Sequence, residues 1–284
     1  MMKIDAHQHF YDFGRVPYSW PTPNEPALYR YLGPEELEPL LADAGIEKTV
    51  VVQADHSLLE TDYLLEAAAE RPWIAGIVGW VPLDRPDEAA KQLERLVGNP
   101  YFKGVRHLIH DESDPDWVVR DTVVEGLKAL AAYGVPFDVV AVLPRHLEHV
   151  VTIAERVPEL RMVIDHLGKP PIKSGGREPW AGLLARAAEC PQVYGKVSGL
   201  NTAADPDGWS WRDLKPYIDH AVAHFGADRL MFGSDWPVAN LAGDYRSVWQ
   251  ATNLALADYS EADRQAILGG TAMRFYGLKE EGAE

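Results

Sequence analysis

The chain has 284 residues, 46% hydrophobic and 25% charged, so it can bury a large core and is not expected to be disordered. Its formal net charge of -16 excludes the basic footprint of a nucleic-acid-binding protein. A single cysteine, Cys190, excludes a disulfide framework, and no apolar run approaches the roughly 20 residues of a membrane span. We therefore expect one cytoplasmic domain over residues 1–284, without a signal peptide and without nucleic-acid or membrane partners.

Eight short apolar segments, rich in β-branched residues, alternate with helical patterns along the chain. Strands are predicted at residues 4–9, 48–53, 74–80, 102–107, 136–140, 162–166, 193–198 and 229–232. Helices are predicted at residues 34–45, 61–69, 87–96, before 134, 144–157, 180–189 and 211–225, with three more after the last strand. This alternation indicates a parallel sheet, and eight units in this length favour a closed (β/α)8 TIM barrel.

The first predicted strand carries two histidines, His7 and His9, at its C-terminal end. Side chains at positions i and i+2 of a strand point to the same face, so the two imidazoles project together. Two neutral imidazoles form half of a divalent metal site or a clamp for a polarised carbonyl. A pair of hydrogen-bonded structural histidines is the alternative interpretation.

Polar residues recur where the predicted strands end, which is the face that carries the active site of a parallel barrel. These strand ends carry His7, His9, Gln53, Trp80, Arg106, His107, Asp165, His166, Lys196, Ser198 and Asp235. Alone, His166 could be structural, Asp235 could cap the following helix, and Arg106 could be an ordinary paired arginine. Together they favour one functional site.

Three of these side chains, His7, His9 and His166, can offer neutral nitrogens to one metal, with Asp235 as a fourth ligand or as a base. Three protein ligands and an open position for water are typical of a catalytic metal site. A bound metal lowers the pKa of its water towards about 7 and polarises a carbonyl. Asp235 would then take the proton of the attacking water and return it to the leaving oxygen.

The end of the fourth strand carries Arg106 and His107, which point to opposite sides of the strand. We expect Arg106 to face the barrel mouth and to hold a carbonyl or hydroxyl oxygen. Lys196 is a second candidate donor, although it could equally be a strand lysine whose stem lies along apolar surface.

Six segments resemble the amidohydrolase superfamily, and within it the branch of sugar-lactone and dicarboxylate-lactone hydrolases. They are Asp5-Ala6-His7-Gln8-His9-Phe10, Tyr18-x-Trp20, Phe102-Lys103-Gly104-Val105-Arg106-His107, Asp165-His166-Leu167-Gly168-Lys169-Pro170, Lys196-Val197-Ser198-Gly199-Leu200 and Gly233-Ser234-Asp235-Trp236-Pro237. The resemblance implies a distorted (β/α)8 barrel that hydrolyses a lactone ester, with Asp235 as general base. It places the strand-one histidine pair at His7 and His9 and the later histidine at His166.

The sequence departs from the two-metal members of the superfamily, which bridge their metals with a carboxylated lysine at the end of strand four. Here that end carries Arg106 and His107, while Lys103 lies too early in the strand. We therefore predict at most one divalent ion, with zinc expected. Some members of this branch look able to work without metal, in which case the histidines and Arg106 polarise the carbonyl.

The expected substrate is a small neutral lactone, such as L-fucono- or L-rhamnono-lactone. Dicarboxylate lactones require several converging cations, whereas hydroxyl-rich rings require mixed polar groups and flat apolar surfaces. The predicted substrate-binding residues are Gln53, Trp80, Arg106, His107, Lys196 and Trp236, with the aromatic loop at 11–20 beside them. A homo-oligomer is possible.

Four alternative functions stay open at this point. A 2-pyrone-4,6-dicarboxylate lactonase and a metal-dependent, non-oxidative decarboxylase would use similar residues. A barrel-fold deoxyribonuclease is disfavoured by the acidic composition and by the absence of a glutamate at the end of strand four. A catalytically inactive scaffold is disfavoured by the retained Asp235.

Overall fold

The computed structural model describes residues 2–279 and contains one sheet of eight parallel strands that pair in chain order. The strands are β1 Ile4–Gln8, β2 Lys48–Val52, β3 Ile74–Gly79, β4 Phe102–His107, β5 Phe137–Val139, β6 Met162–Ile164, β7 Val193–Val197 and β8 Leu230–Phe232. Helices alternate with these strands, so the predicted single (β/α)8 barrel is confirmed. Residue 1 and residues 280–284 of the predicted domain lie outside the described residues.

The barrel closes between the last strand and the first through residues just beyond their ends. The amide of Asp235 donates to the carbonyl of His7 at 2.8 Å, and the amide of His9 donates to the carbonyl of Trp236 at 2.7 Å. Register shifts interrupt the ladders from β1 to β4, which fits a distorted barrel. Closure at this rim holds the segments that carry His9 and Asp235 side by side.

Helices form the outer layer. They are α1 Pro34–Ala44, α2 Leu58–Glu70, α3 Pro86–Leu96, α4 Asp121–Ala132, α5 Pro144–Arg156, α6 Trp180–Ala188, α7 Trp211–Phe225, α8 Tyr245–Ala255, α9 Glu261–Gln265 and α10 Thr271–Tyr276. Proline occupies the first turn of α1, α3 and α5, where its missing N–H has no helical partner to lose. Ser57 caps α2 by accepting from the amide of Glu60, so this helix begins at Leu58 rather than at residue 61.

Two apolar clusters hold the layers together. The larger one lies between the strands and the surrounding helices. The smaller one fills the barrel interior at the end where the strands begin. It includes Ile4, Val50, Val163 and Met231, with Phe275 of α10 packed against them. α10 therefore packs over this end of the barrel, and the opposite rim, where the strands end, is the face that carries the active site of a parallel barrel.

Seven of the eight strands are one or two residues shorter than predicted, and the sixth is the one where this changes the site. We predicted the sixth strand to run through His166, but β6 ends at Ile164, and the next residues form a left-handed turn. Within residues 2–279, no helix combines the length and the apolar character needed to cross a membrane. The cytoplasmic location and the homo-oligomeric state stay predictions.

Candidate active site

A cavity of about 400 Å³ lies at the carboxyl ends of the strands. Its walls come from the loops after β1, β2, β4, β5, β6 and β8. The lining residues are His9, Tyr11, Ser19, Trp20, Ala54, Arg106, Leu108, His110, Asp111, Val140, Val142, His166, Lys169, Asp235 and Val238. The predicted catalytic residues Asp235, His166 and Arg106 therefore share one cavity.

The four residues predicted as metal ligands meet at the base of this cavity. The Nε2 atoms of His7 and His9 lie 3.2 Å apart, and Asp235 Oδ1 lies 3.8 Å and 3.4 Å from them, respectively. His166 Nδ1 lies 4.0 Å from Asp235 Oδ2. All four side chains are buried, so the cluster has little water to satisfy its polar atoms.

The three imidazoles are neutral near pH 7. Burial lowers the pKa of His9, lowers that of His7 well below its ordinary value, and lowers that of His166 to about 3. A neutral imidazole keeps one lone pair, which is the form that binds a divalent metal.

Asp235 is a carboxylate under the same conditions. Burial works to raise its pKa, but His166, the neighbouring His9 and the ammonium of Lys169 together hold that pKa below its ordinary value. Within the described part of the chain, the buried Oδ2 atom of Asp235 has no hydrogen-bond partner. A buried oxygen of this kind is suited to hold a water molecule or a cation.

The donor set fits one divalent ion. One ligand atom each from His7, His166 and Asp235 lies within 4.8 Å of the other two, and all three residues are buried. Two imidazole nitrogens and a carboxylate oxygen are common zinc ligands, and His9 adds a further nitrogen beside them. The Oδ2 atom of Asp235, which has no hydrogen-bond partner in the part of the chain that the structure describes, is consistent with a cation at this position.

The backbone is left-handed where two of these residues leave their strands. The φ angles of His166, Leu167 and Lys169 are 54°, 50° and 50°, and that of Asp235 is 60°. Non-glycine residues rarely adopt this conformation, and such strain clusters at functional sites. The indole of Trp180 holds the turn by donating to the carbonyl of Leu167 at 2.6 Å.

Gly199 leaves space for the side chains of Asp235 and His166, which the left-handed backbone brings together. A Cβ atom at this position would lie 2.6 Å from both Asp235 Oδ2 and His166 Nδ1, and its φ is +56°. Both the space and the backbone angle therefore require glycine here. Ser198 next to it bonds to His166 Nδ1 at 2.9 Å and fixes the imidazole.

A buried network of charges lies below His7. Lys196 Nζ lies 3.1 Å from His7 Nδ1 and 3.1 Å from Asp165 Oδ1, and it also pairs with Asp138. Tyr276 of α10 donates to Asp138 at 2.8 Å. Lys196 is fully buried, so the structure places this predicted substrate-binding residue beneath the site, where it supports His7.

Arg106 faces the cavity, as expected, and spans its floor. Its Nη1 atom lies 3.3 Å from Asp165 Oδ2 and 3.4 Å from His7 Nε2, and its Nη2 atom donates to the carbonyl of Gln53. The Gln53 side chain donates in return to the carbonyl of Arg106 at 3.0 Å. Gln53 therefore braces Arg106, while its role as a substrate-binding residue stays a prediction.

His107 lies on the opposite side of β4, inside a stack of rings. Its ring centroid lies 3.8 Å from that of His56 and 4.0 Å from that of Trp117. The indole of Trp80 donates to His107 Nδ1 at 3.1 Å, which leaves Nε2 to donate to Glu112 at 2.8 Å. The structure thus places His107 and Trp80 beside the cavity rather than in its lining.

Trp236 is also placed outside the lining. Its ring packs against Phe10 with centroids 6.3 Å apart, and it borders an exterior cleft between α1 and α8. Sequence reasoning assigned no role to Ser19, His110, Asp111 or Lys169, which do line the cavity. The one signal for Lys169 was its position three residues after His166 in the recognised segment.

Comparison with known proteins identifies the family. The amidohydrolase family model matches residues 4–278, and the chain belongs to that family, as the sequence predicted. The chain is 40% identical to an L-fucono-1,5-lactonase of Burkholderia ambifaria, over 96% of this chain and 95% of that protein. It is 35% identical to an L-fucono-1,5-lactonase of Burkholderia multivorans, over 98% and 97% of the two chains.

A solved structure of an amidohydrolase has the same fold as this chain. The crystal structure of an amidohydrolase from Burkholderia multivorans with bound zinc matches with a TM-score of 0.88 and 34% identity. The match covers 98% of this chain and 100% of that chain.

Proposed function

We propose that this protein hydrolyses a neutral sugar-acid lactone of the L-fucono-1,5-lactone type, with Asp235 as general base. The observation that carries the proposal is the position of Asp235, a buried carboxylate in the same cavity as three polarising groups, His9, His166 and Arg106. One of its oxygens has no hydrogen-bond partner among residues 2–279. Its relatives named L-fucono-1,5-lactonase support the lactone class.

The reaction needs one water molecule and one proton transfer. Asp235 accepts a proton from water as the water oxygen bonds to the lactone carbonyl carbon. Arg106 and the imidazoles stabilise the negative charge that develops on the carbonyl oxygen. The bond from this carbon to the ring oxygen then breaks, and Asp235 returns the proton to that oxygen, which gives the open hydroxy acid.

A single divalent ion, for which we propose zinc, would be held by His7, His166 and Asp235, with His9 adjacent. When bound, such an ion polarises a carbonyl and makes water more acidic. The protein residues contribute orientation, because Ser198 fixes the His166 ring and the carbonyl of Val52 fixes the His9 ring at 2.7 Å.

The cavity wall suits a hydroxyl-rich ring better than a dicarboxylate. Tyr11 and Trp20 offer flat apolar faces, while Ser19 and His110 offer hydrogen-bonding groups. Asp111 also lines the cavity and offsets part of the positive charge of Arg106 and Lys169, which disfavours a second substrate carboxylate. We therefore favour neutral aldonolactones over 2-pyrone-4,6-dicarboxylate.

The test is a substrate panel followed by proton release at neutral pH, with spontaneous lactone opening subtracted. We expect turnover of L-fucono- and L-rhamnono-1,5-lactones, and loss of at least a hundredfold in kcat for Asp235→Asn, since an amide cannot accept the proton. Preference for 2-pyrone-4,6-dicarboxylate would refute the neutral sugar assignment. Release of carbon dioxide from an aromatic acid would favour the decarboxylase alternative.

A further inference from the structure

A left-handed turn after β6 carries two cavity residues rather than one. His166 and Lys169 are three positions apart, and both line the cavity. Leu167 and Gly168 between them are also left-handed, with φ angles of 50° and 72°. Since residues i and i+3 of a helical turn share one side, the turn presents an imidazole and an ammonium together.

The ammonium of Lys169 is anchored but not saturated. Its Nζ atom donates to Thr202 Oγ1 at 3.1 Å, and Thr202 Oγ1 in turn donates to the carbonyl of Gly199 at 3.0 Å. An ammonium has three N–H donors, and among residues 2–279 the hydrogen bond to Thr202 is the one this group makes. Two donors are therefore available to a molecule in the cavity.

Two features make a lysine energetically unfavourable at position 169. Its side chain is half-buried, and this burial lowers the pKa of its ammonium. Its φ of 50° disfavours any residue with a Cβ atom. A lysine that served only to fill space would be replaced with advantage by glycine, so both costs point to a role in the reaction.

We propose that Lys169 is a catalytic residue that contacts the substrate: its ammonium donates hydrogen bonds to the reacting ester group and holds the carboxylate as it forms. This rests on the proposed lactonase function. Lys169 lies in the field of Asp235 and Arg106, so it adds a second cation beside the base where negative charge develops.

The experiment compares Lys169→Met and Lys169→Gly with the wild-type protein. Lys173→Met is the matched control, because Lys173 lies on the same loop with its side chain 67% exposed. Three quantities are measured: lactone turnover, affinity for the open acid L-fuconate by calorimetry, and unfolding temperature with metal content. We expect both Lys169 variants to lose at least tenfold in kcat with a smaller change in KM, and to bind L-fuconate at least tenfold more weakly.

Lys169→Gly should also unfold at or above the wild-type temperature with unchanged metal content, because it removes a half-buried lysine from a left-handed backbone position. Lower stability or lost metal in both variants would make Lys169 structural and overturn the proposal. If the wild-type protein opens no lactone, the proposed function fails, and L-fuconate affinity alone decides on Lys169. Equal L-fuconate affinity in wild type and Lys169→Met, or no L-fuconate binding to either, overturns the proposal that Lys169 contacts the substrate.

Discussion

The Nε2 atoms of His7 and His9 face each other at 3.2 Å at the base of the cavity. The carbonyl of Val52 accepts from His9 Nδ1 at 2.7 Å, so the neutral His9 ring carries a lone pair on Nε2. His7 Nδ1 lies between Asp165 Oδ1 at 3.3 Å and Lys196 Nζ at 3.1 Å. If His7 Nδ1 donates to Asp165, His7 Nε2 carries a second lone pair that faces His9. If His7 Nδ1 instead accepts from Lys196, His7 Nε2 carries the proton of the neutral ring. A metal ion, this proton or the Arg106 guanidinium, whose Nη1 lies 3.4 Å from His7 Nε2, therefore satisfies the lone pairs that face each other.

This relationship predicts that metal binding depends on both rings. We expect one divalent ion per chain, a fall in lactone turnover after treatment with a chelator, and loss of metal from His9→Asn. His220→Asn is the control, since His220 bonds to the carbonyl of Ala181 on the outer helices. Metal content by elemental analysis, measured together with turnover, provides the check. Full turnover after complete metal removal would instead favour polarisation by Arg106 and the imidazoles alone.

Gly199→Ala should disrupt the site by steric conflict. Its Cβ would lie 2.6 Å from Asp235 Oδ2, and displacement of a reacting group by about an ångström costs on the order of a hundredfold in rate. Gly175→Ala is a matched control, because its φ is +67° and a Cβ there meets no atom of residues 2–279 within 4 Å. Both variants should lose about 1 kcal/mol of unfolding free energy from the backbone, while only Gly199→Ala loses turnover. Equal turnover in the two variants would contradict this interpretation.

The buried network below His7 predicts a large stability effect. Lys196→Met leaves Asp138 and Asp165 without their ammonium partner in the barrel interior, which should cost about 3–5 kcal/mol of unfolding free energy. Adding Asp138→Asn should recover part of this loss, because it removes one uncompensated charge. Lys128→Met, which breaks an exposed pair with Glu125, should change stability by less than about 1 kcal/mol. Denaturant unfolding measures all three, and a small effect of Lys196→Met would show that water reaches the network.

The sequence was sufficient to predict the barrel and the residues at the centre of the site. Strand–helix alternation and strand-end polar residues predicted that His7, His9, His166 and Asp235 would converge, because parallel strands end at one rim. Periodicity cannot reveal a left-handed turn, so β6 was predicted to continue to His166, and Lys169 was not assigned. Lys169 lies in the cavity because the turn adopts φ angles that local propensity disfavours.

Side-chain direction beyond the strand ends was also not available from the sequence. Trp80 and His107 were predicted to bind substrate, but their mutual hydrogen bond and the ring stack turn them towards each other. Trp236 follows Asp235 directly, and consecutive residues after a strand point to different sides. Such choices depend on which neighbour completes each buried polar group, which only tertiary structure decides.

Glu60 on α2 predicts a measurable pH dependence of stability. Burial raises the pKa of its carboxyl from 4.5 to about 8, although the amides of Ala54 and Asp55 donate to it. The native state therefore holds this proton more tightly than the unfolded chain does. The contribution to stability is complete below about pH 4.5 and is lost as the pH rises towards 8, by up to about 1.4 kcal/mol for each pH unit.

Glu60→Gln should remove this slope, because the amide does not titrate. The measurement is the difference in unfolding free energy between pH 5 and pH 8, which we expect to be larger in the wild-type protein than in Glu60→Gln. Glu70→Gln at the end of the same helix is the control and should keep the wild-type slope, since its side chain is 74% exposed. If Glu60→Gln keeps that slope as well, the backbone amides of Ala54 and Asp55 outweigh burial and Glu60 is ionised in the folded protein. Because Ala54 lines the cavity, any loosening of this contact at high pH should also raise KM for the lactone.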